Sequence, residues 1–234
     1  MKHTIFFIYT MVALFIGAGG VQAETPSFSL SGGWDSKYVL EGVDQLNGDA
    51  LYSSEFSMTW RSFDAGIWYG MGDTVDYGEL NVFGVYNHTI GFIDAYLGYA
   101  HFQFDLGEEE DHAYDNEISS GLSLNNLWLT PAIDYVYATE IGGANVALSL
   151  VFEQAALKDR LTLEAELVQV FDFGYVSDAY DGNNNTQLGI GCTCRIFEQL
   201  SAFIKGSHSW AGTNLRREGL GDVSWISLGV QADI

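Results

Sequence analysis

The chain has 234 residues, with 31 Asp and Glu against only 9 Lys and Arg, a formal net charge of −22 at pH 7. That balance excludes nucleic acid as a partner, because the phosphate backbone would be repelled; it suits an acidic secreted surface, contact with divalent cations, or a pore that favours cations. With 47% apolar and 15% aromatic residues and only 2 Pro, the chain has ample material for order, which excludes disorder.

The first residues have the three parts of a secretory signal. Lys2 supplies the positive end, Ile5 to Ile16 form an apolar run broken only by Thr10, and Val21-Gln22-Ala23 offers small residues for cleavage after Gly17 to Gly20. Cleavage is expected after Ala23, leaving residues 24–234 as one domain. No later stretch is long and apolar enough for a membrane helix.

From there the dominant period is two. Phe28, Leu30 and Trp34 alternate with Ser29, Ser31 and Asp35; Phe56, Met58 and Trp60 alternate with Glu55, Ser57 and Thr59. Phe63, Ala65, Ile67 and Tyr69 follow after an Arg61-Ser62 turn. Leu80, Val82 and Tyr86 oppose Glu79 and Asn81, and Ile93, Ala95, Leu97 and Tyr99 oppose Asp94 and Gly98. The same alternation runs through Ile118–Leu124, Ile133–Tyr137, Val146–Phe152, Leu161–Leu167, Leu188–Ile196 and Leu200–Ile204. It ends with Ile226, Leu228, Val230, Ala232 and Ile234 opposing Trp225, Ser227, Gly229, Gln231 and Asp233.

Short turns at Arg61-Ser62, Asn87–Gly91, Leu124–Pro131, Leu157–Arg160 and Phe197–Gln199 alternate with longer polar connections at Glu41–Ala50, Gly72–Gly78, Asp105–Asn116, Asp172–Thr186 and Ala211–Asp222. The connection near Ile141–Ala144 is brief where the scheme calls for a longer loop. Sorting of this kind predicts an all-β fold: a closed antiparallel transmembrane β-barrel of about twelve strands. Closure is required because hydrocarbon offers no partner to an unpaired backbone group. The expected location is the outer membrane of a Gram-negative-type bacterium, with outer-membrane lipid around the barrel.

With apolar side chains outside, the opposite set is expected to face a wet lumen: Glu55, Asp64, Glu79, Asp94, Glu117, Asp134, Glu153, Glu164, Glu166, Arg195 and Lys205. Inward Trp68, Phe83, Phe92 and Tyr96 are an alternative, since they would plug it. Tyr52, Trp60, Tyr86, Tyr99, Trp128 and Trp210 suit interfacial girdles, or ordinary packing. The last strand, with Ser227, Gly229, Ala232 and Ile234, resembles the closing strand of outer-membrane barrels, the segment expected to engage the barrel-assembly machinery; Ile234 stands where an aromatic residue is usual.

The stretch Ser36-Lys37-Tyr38-Val39-Leu40-Glu41-Gly42-Val43-Asp44-Gln45 resembles the end of the first strand in the TorF-type putative porins, a bacterial outer-membrane barrel family, where a Ser-x-Tyr-x-x-Arg-Gly-x-x-Gln-like phrase occurs. Ser36, Tyr38, Gly42 and Gln45 match, and Glu41 replaces the arginine, reversing the local charge. The resemblance covers about ten residues. It implies a porin-like role and carries no catalytic residues.

Other chemistry is weaker. The run Glu108-Glu109-Glu110-Asp111-His112, with Asp105 and Asp115 nearby, reads as a solvated loop; clustered carboxylates also suit Ca²⁺ or bridging to lipopolysaccharide phosphates, without EF-hand spacing. Asp178, Asp181 and Asn183–Asn185 signal turns. Ser207-His208-Ser209 invites comparison with a hydrolase, but a strand points His208 away from both serines. Cys192 and Cys194, two apart on a strand, are wall residues rather than a disulfide. No catalytic, cofactor or metal site is expected. The sequence thus predicts passive diffusion of small solutes with a lean toward cations, or alternatively a non-conducting structural or adhesion barrel with acidic ion-contacting loops.

Overall fold

In a computed structural model of the chain, residues 25–105, 113–125 and 128–234 are described; the expected signal peptide and the Glu108–His112 run lie outside them. Twelve antiparallel strands close into one barrel: β1 (Ser27–Asp35), β4 (Leu51–Trp60), β5 (Phe63–Gly72), β6 (Gly78–Ile90), β7 (Ile93–Asp105), β8 (Ala113–Leu124), β9 (Thr130–Ala138), β10 (Gly143–Ala156), β11 (Leu161–Phe173), β12 (Gly182–Phe197), β13 (Leu200–Ala211) and β14 (Val223–Asp233). Each barrel strand pairs with its sequence neighbours, and β1 pairs with β14 from Ser29↔Asp233 to Asp35↔Ser227, so no edge remains open. Two short strands, β2 (Val39–Leu40) and β3 (Val43–Asp44), form a separate hairpin, and a single-turn helix, α1 (Thr213–Arg217), sits between β13 and β14.

The connections sort by end. Arg61 and Gly91 take positive φ (56° and 67°) in tight turns at one rim, as do Leu157, Lys158 and Asp159 between β10 and β11. Both termini of the barrel lie at that rim, where Ile234 N–H donates to Phe28 O at 2.8 Å. The other rim holds the β2–β3 hairpin, the 174–181 loop and α1. One turn is tighter than the spacing suggested: β6 runs on to Ile90, so Asn87 is a ladder residue paired with Tyr96, and only Gly91 and Phe92 make the reversal. Phe92 is therefore an exposed turn residue and not an inward plug.

The alternation becomes a physical division of the wall. Leu30, Phe56, Ile67, Val82, Leu97, Ile118, Ile190 and Leu228 all stand exposed on the outside, Leu97 by 58% and Ile190 by 60%. Such a continuous apolar girth would be an aggregation surface in water and is matched by hydrocarbon. Trp60, Tyr86 and Trp128 lie outside toward the turn rim, where the Arg61 guanidinium stacks 5.0 Å over Trp60; Tyr52, Tyr99 and Trp210 lie outside toward the loop rim. These are the depths at which aromatic belts meet headgroups.

Leu228 is exposed and pairs with Ile204 and Trp34, whereas Ser227 hydrogen-bonds to Asp35 and pairs with Lys205. Leu228→Arg is expected to impair insertion, by roughly 2–4 kcal/mol near the bilayer midplane, and Ser227→Arg to be better tolerated. Folding yield into vesicles checks this; equal yields would contradict the assignment of faces.

Candidate functional site: the barrel interior

Ten of the eleven charged residues singled out from the sequence lie out of phase with the exposed apolar set of their own strand; Arg195 alternates with Ile190 and Ile196 but shares parity with exposed Phe197, beyond a register shift at the strand end. Near the turn rim, Asp64 accepts from Thr59 and Asn87, each at 2.6 Å, and Asp94 from Thr89 at 2.6 Å and Asn125 at 3.1 Å. Glu153 and Glu164 stand directly opposite each other in the β10–β11 ladder, a like-charge pair tolerable only where water reaches it, and Arg195 is exposed at the same rim. Farther in, Tyr96 donates to Asp134 at 2.8 Å, Lys205 pairs with Glu166 at 3.1 Å, and Glu55 is half-buried on β4. Toward the loop rim lie Glu79 and Glu117, both buried.

Large inward side chains are accommodated by glycines. A Cβ at Gly66 would lie 2.5 Å from the Phe83 ring, one at Gly191 2.5 Å from the Glu164 carboxylate, and one at Gly189 2.5 Å from the Lys205 stem. Tyr96 lies over Gly121, Trp68 over Gly70 and Phe203 over Gly229 in the same way. These rings therefore lie over glycines of the wall.

What crosses the loop rim is backbone. The segment read as an extension of the first strand followed by a polar connection instead folds inward. Tyr38, Val39, Leu40 and Leu46 are buried. Tyr38 and Leu40 pack in one cluster with Ala100, Phe102 and Phe104 of β7 and with Trp68 and Phe83; Val39 packs on Val223 and Trp225 of β14. The hairpin reverses through Glu41 and Gly42, at φ 47° and 79°, the two successive positive values of a tight type I′ turn. A Cβ at Gly42 would lie 2.8 Å from Ser209 Oγ and 3.0 Å from Asn185, so glycine is required by space as well as by φ. The hairpin thus reaches from the β5–β7 side of the barrel to β12 and β13.

Polar contacts hold it there. Tyr38 and Tyr77 both donate to Glu79 Oε2, at 2.5 and 2.6 Å, and Asn81 donates to Glu79 Oε1 at 2.7 Å. Asn184 donates to Glu41 O at 2.8 Å, and Asn145 to Glu41 Oε1 at 3.4 Å. Burial, with the charge of Asp172 nearby, pushes the Glu41 carboxyl up to about 8, and burial raises the Tyr38 and Tyr77 phenols. The return limb is tied down outside, where Asp49 accepts from Thr74 N–H and Oγ, both at 2.8 Å; the Thr74 backbone bond leads in holding that carboxyl below its ordinary range.

A second inward segment follows β11. Asp172 accepts backbone N–H bonds from Tyr175, Val176 and Ser177 at 2.9, 2.7 and 3.0 Å, and Tyr175 reaches across to Glu117 on β8, packing with Val136, Ala138 and Leu215. The sequence signal for both segments is the same: apolar residues, Tyr38-Val39-Leu40 and Tyr175-Val176, inside connections otherwise rich in polar residues and glycine.

The remaining sequence candidates do not converge. Ser209 Oγ meets Asn185 on the inner side at 2.9 Å, whereas His208 faces outward, with Nδ1 2.6 Å from Ser224 Oγ and its ring against Trp210. Cys192 and Cys194 are free thiols on the outer side with Ile190. Asp115 is occupied by the N–H groups of Asn116 and Glu140, at 2.7 and 3.1 Å. Among the described residues, no group of three or more His, Cys, Asp or Glu is arranged to hold a metal ion.

A residue larger than glycine under Tyr96 should be costly. Gly121→Leu is expected to lower stability by about 1–3 kcal/mol through overpacking, whereas Gly206→Ala, with no atom within 4 Å of the new methyl, should be neutral. The denaturant midpoint for loss of the compact, heat-modifiable gel band reads both; equal midpoints would remove the packing argument.

No protein-family model matches the sequence, and no curated protein matches it. Solved structures do. The KdgM porin superposes with a TM-score of 0.59 at 10% identity, over 87% of this chain and 98% of that one. LpxR from Salmonella typhimurium gives 0.56 at 9%, over 87% and 99%, and the NanC porin 0.57 at 12%, over 88% and 98%. At these identities the likeness is one of fold, spanning nearly the whole of each neighbour: a closed, twelve-stranded antiparallel barrel of the kind found in outer-membrane porins.

Proposed function

We propose that this chain is a porin-like barrel of a Gram-negative-type outer membrane, allowing passive diffusion of small solutes with a lean toward cations. The observation that carries the reading is the charge of the inner set, where carboxylates on β4 to β11 face only Lys205 and Arg195 as inward cations among the eleven residues. In a low-dielectric tube such carboxylates attract cations and repel anions. The fold shared with the KdgM and NanC porins supports the channel class, and the Ser36–Gln45 phrase supports a relationship to the TorF-type porins, with Glu41 in place of arginine agreeing with the acidic interior.

On this reading the apolar girth contacts outer-membrane lipid, and the last strand, with Ser227, Gly229, Ala232 and Ile234, engages the assembly machinery. Acidic loop residues attract divalent cations. The inward fold of Tyr38–Leu46 favours a second reading, a non-conducting structural or adhesion barrel, because it crosses the loop rim.

Reconstitution into planar bilayers separates the two. Ohmic steps of reproducible size are expected, with reversal potentials in a KCl gradient on the potassium side; Lys205→Gln should move them further that way and Glu166→Gln back. Absence of steps after refolding verified by heat-modifiable migration would remove the channel reading, and a chloride-side reversal would remove the cation lean.

A further inference from the structure

We propose that the Tyr38–Leu46 hairpin is a displaceable gate, seated across the loop-rim mouth while the Glu41 carboxyl is neutral and released when it becomes charged. The proposal rests on the channel reading and adds its regulation. Two features of the seat carry it.

The hairpin is a self-contained unit. Gln45 N–H donates to Tyr38 O at 2.8 Å, Leu40 pairs with Val43, and its two limbs join the barrel at Asp35 and Leu51. It can therefore leave without breaking any rung of the barrel ladder.

The two halves of the seat differ in chemistry. On the β5–β7 side the hairpin is held by apolar packing and by the phenol of Tyr38 on Glu79. On the opposite side its tip meets acid. The carboxyl groups of Asp172 on β11 and Glu117 on β8 face Glu41, and the charge of Asp172 is the one that acts on it. Among the described residues, the other groups in contact with the tip are uncharged: the amides of Asn145 and Asn184, Ser209 Oγ beside Gly42, and the Tyr175 phenol, itself bonded to Glu117. Within the segment, Lys37 is 3.9 Å from Asp44, to which it is directed. An ionised Glu41 would thus sit beside like charge with, among the described residues, one 3.4 Å amide contact to compensate.

The direction of the response follows. Docked, Glu41 titrates at about 8; released into water it returns to its ordinary value of 4.5. A group whose value is raised in the docked state favours docking fully below the lower value, and that contribution is lost as pH rises through the upper one. Acid closes the mouth and alkali opens it. The Tyr38 phenol stays neutral throughout, since burial raises it.

The test uses single-channel recording of the processed full-length chain, Glu41→Gln, and a variant with Lys37–Gly48 replaced by a short Gly/Ser linker. Open probability of the parent is expected to rise at least about tenfold between roughly pH 5.5 and pH 9. Glu41→Gln, neutral at every pH but able to keep its amide contacts, should stay low and flat, and the linker variant should stay open throughout. A parent and Glu41→Gln with the same pH profile would overturn the gate, as would a linker variant with unchanged open probability, and in both cases the channel reading would survive. Refolded barrels that conduct in none of the three forms would end the channel reading and the gate together. Should the linker variant fail to fold, the comparison of the parent with Glu41→Gln decides alone.

Discussion

Hydrocarbon supplies no hydrogen-bond partner, so every backbone N–H and C=O at membrane depth must find one within the chain. The β1–β14 seam meets that requirement for the only two strands that would otherwise end the sheet. Once the sheet is closed, the two-residue period of its side chains becomes an inside and an outside, and each residue's chemistry is sorted by parity alone. A one-residue slip of register would send Glu166 and Lys205 into lipid and Leu167 and Ile204 into the lumen. The pairing of Lys205 with Glu166, two strands apart in the ladder, is a consequence of that register and helps to hold it.

The inside of this twelve-stranded barrel is crowded. Inward rings and long side chains lie over glycines on adjacent rungs, as Phe83 does over Gly66 and Tyr96 over Gly121. A ring over a strand glycine covers backbone that would otherwise be bare and restores packing that the missing side chain forfeits. The same arrangement keeps bulk against the wall. The abundance of glycine in the sequence therefore reflects where the aromatics go, as much as how the chain turns.

Buried acid is the other theme. Glu79 is tolerated because three donors converge on it, and Asp172 because it caps three successive backbone N–H groups. Among the described residues Glu41 has no comparable set, and burial with the nearby charge of Asp172 holds it protonated above the ordinary range. The contrast between these carboxylates, alike in sequence and different in partners, is where the interior departs from a passive lining.

Strand identity, face assignment and the alternation of short and long connections were legible in the sequence because they depend on nearest-neighbour pattern: Leu228 beside Ser227 already states which faces lipid. The turn at Gly91-Phe92 was placed a few residues early because Asn87–Ile90 are polar or β-branched residues that serve a ladder end as well as a loop. The inward course of Tyr38–Leu46 and Tyr175–Ser177 was decided only by tertiary structure. A connection can pack inward or stay in water, and what settles it is the presence of Phe102, Phe104, Trp225 and Asn185 on strands far away in the chain but adjacent across the lumen. Periodicity carries no information about which distant strands share a mouth. Burial of Tyr38 and the company of Glu41 are therefore properties of the closed cylinder, whereas the cylinder itself is a property of the two-residue repeat.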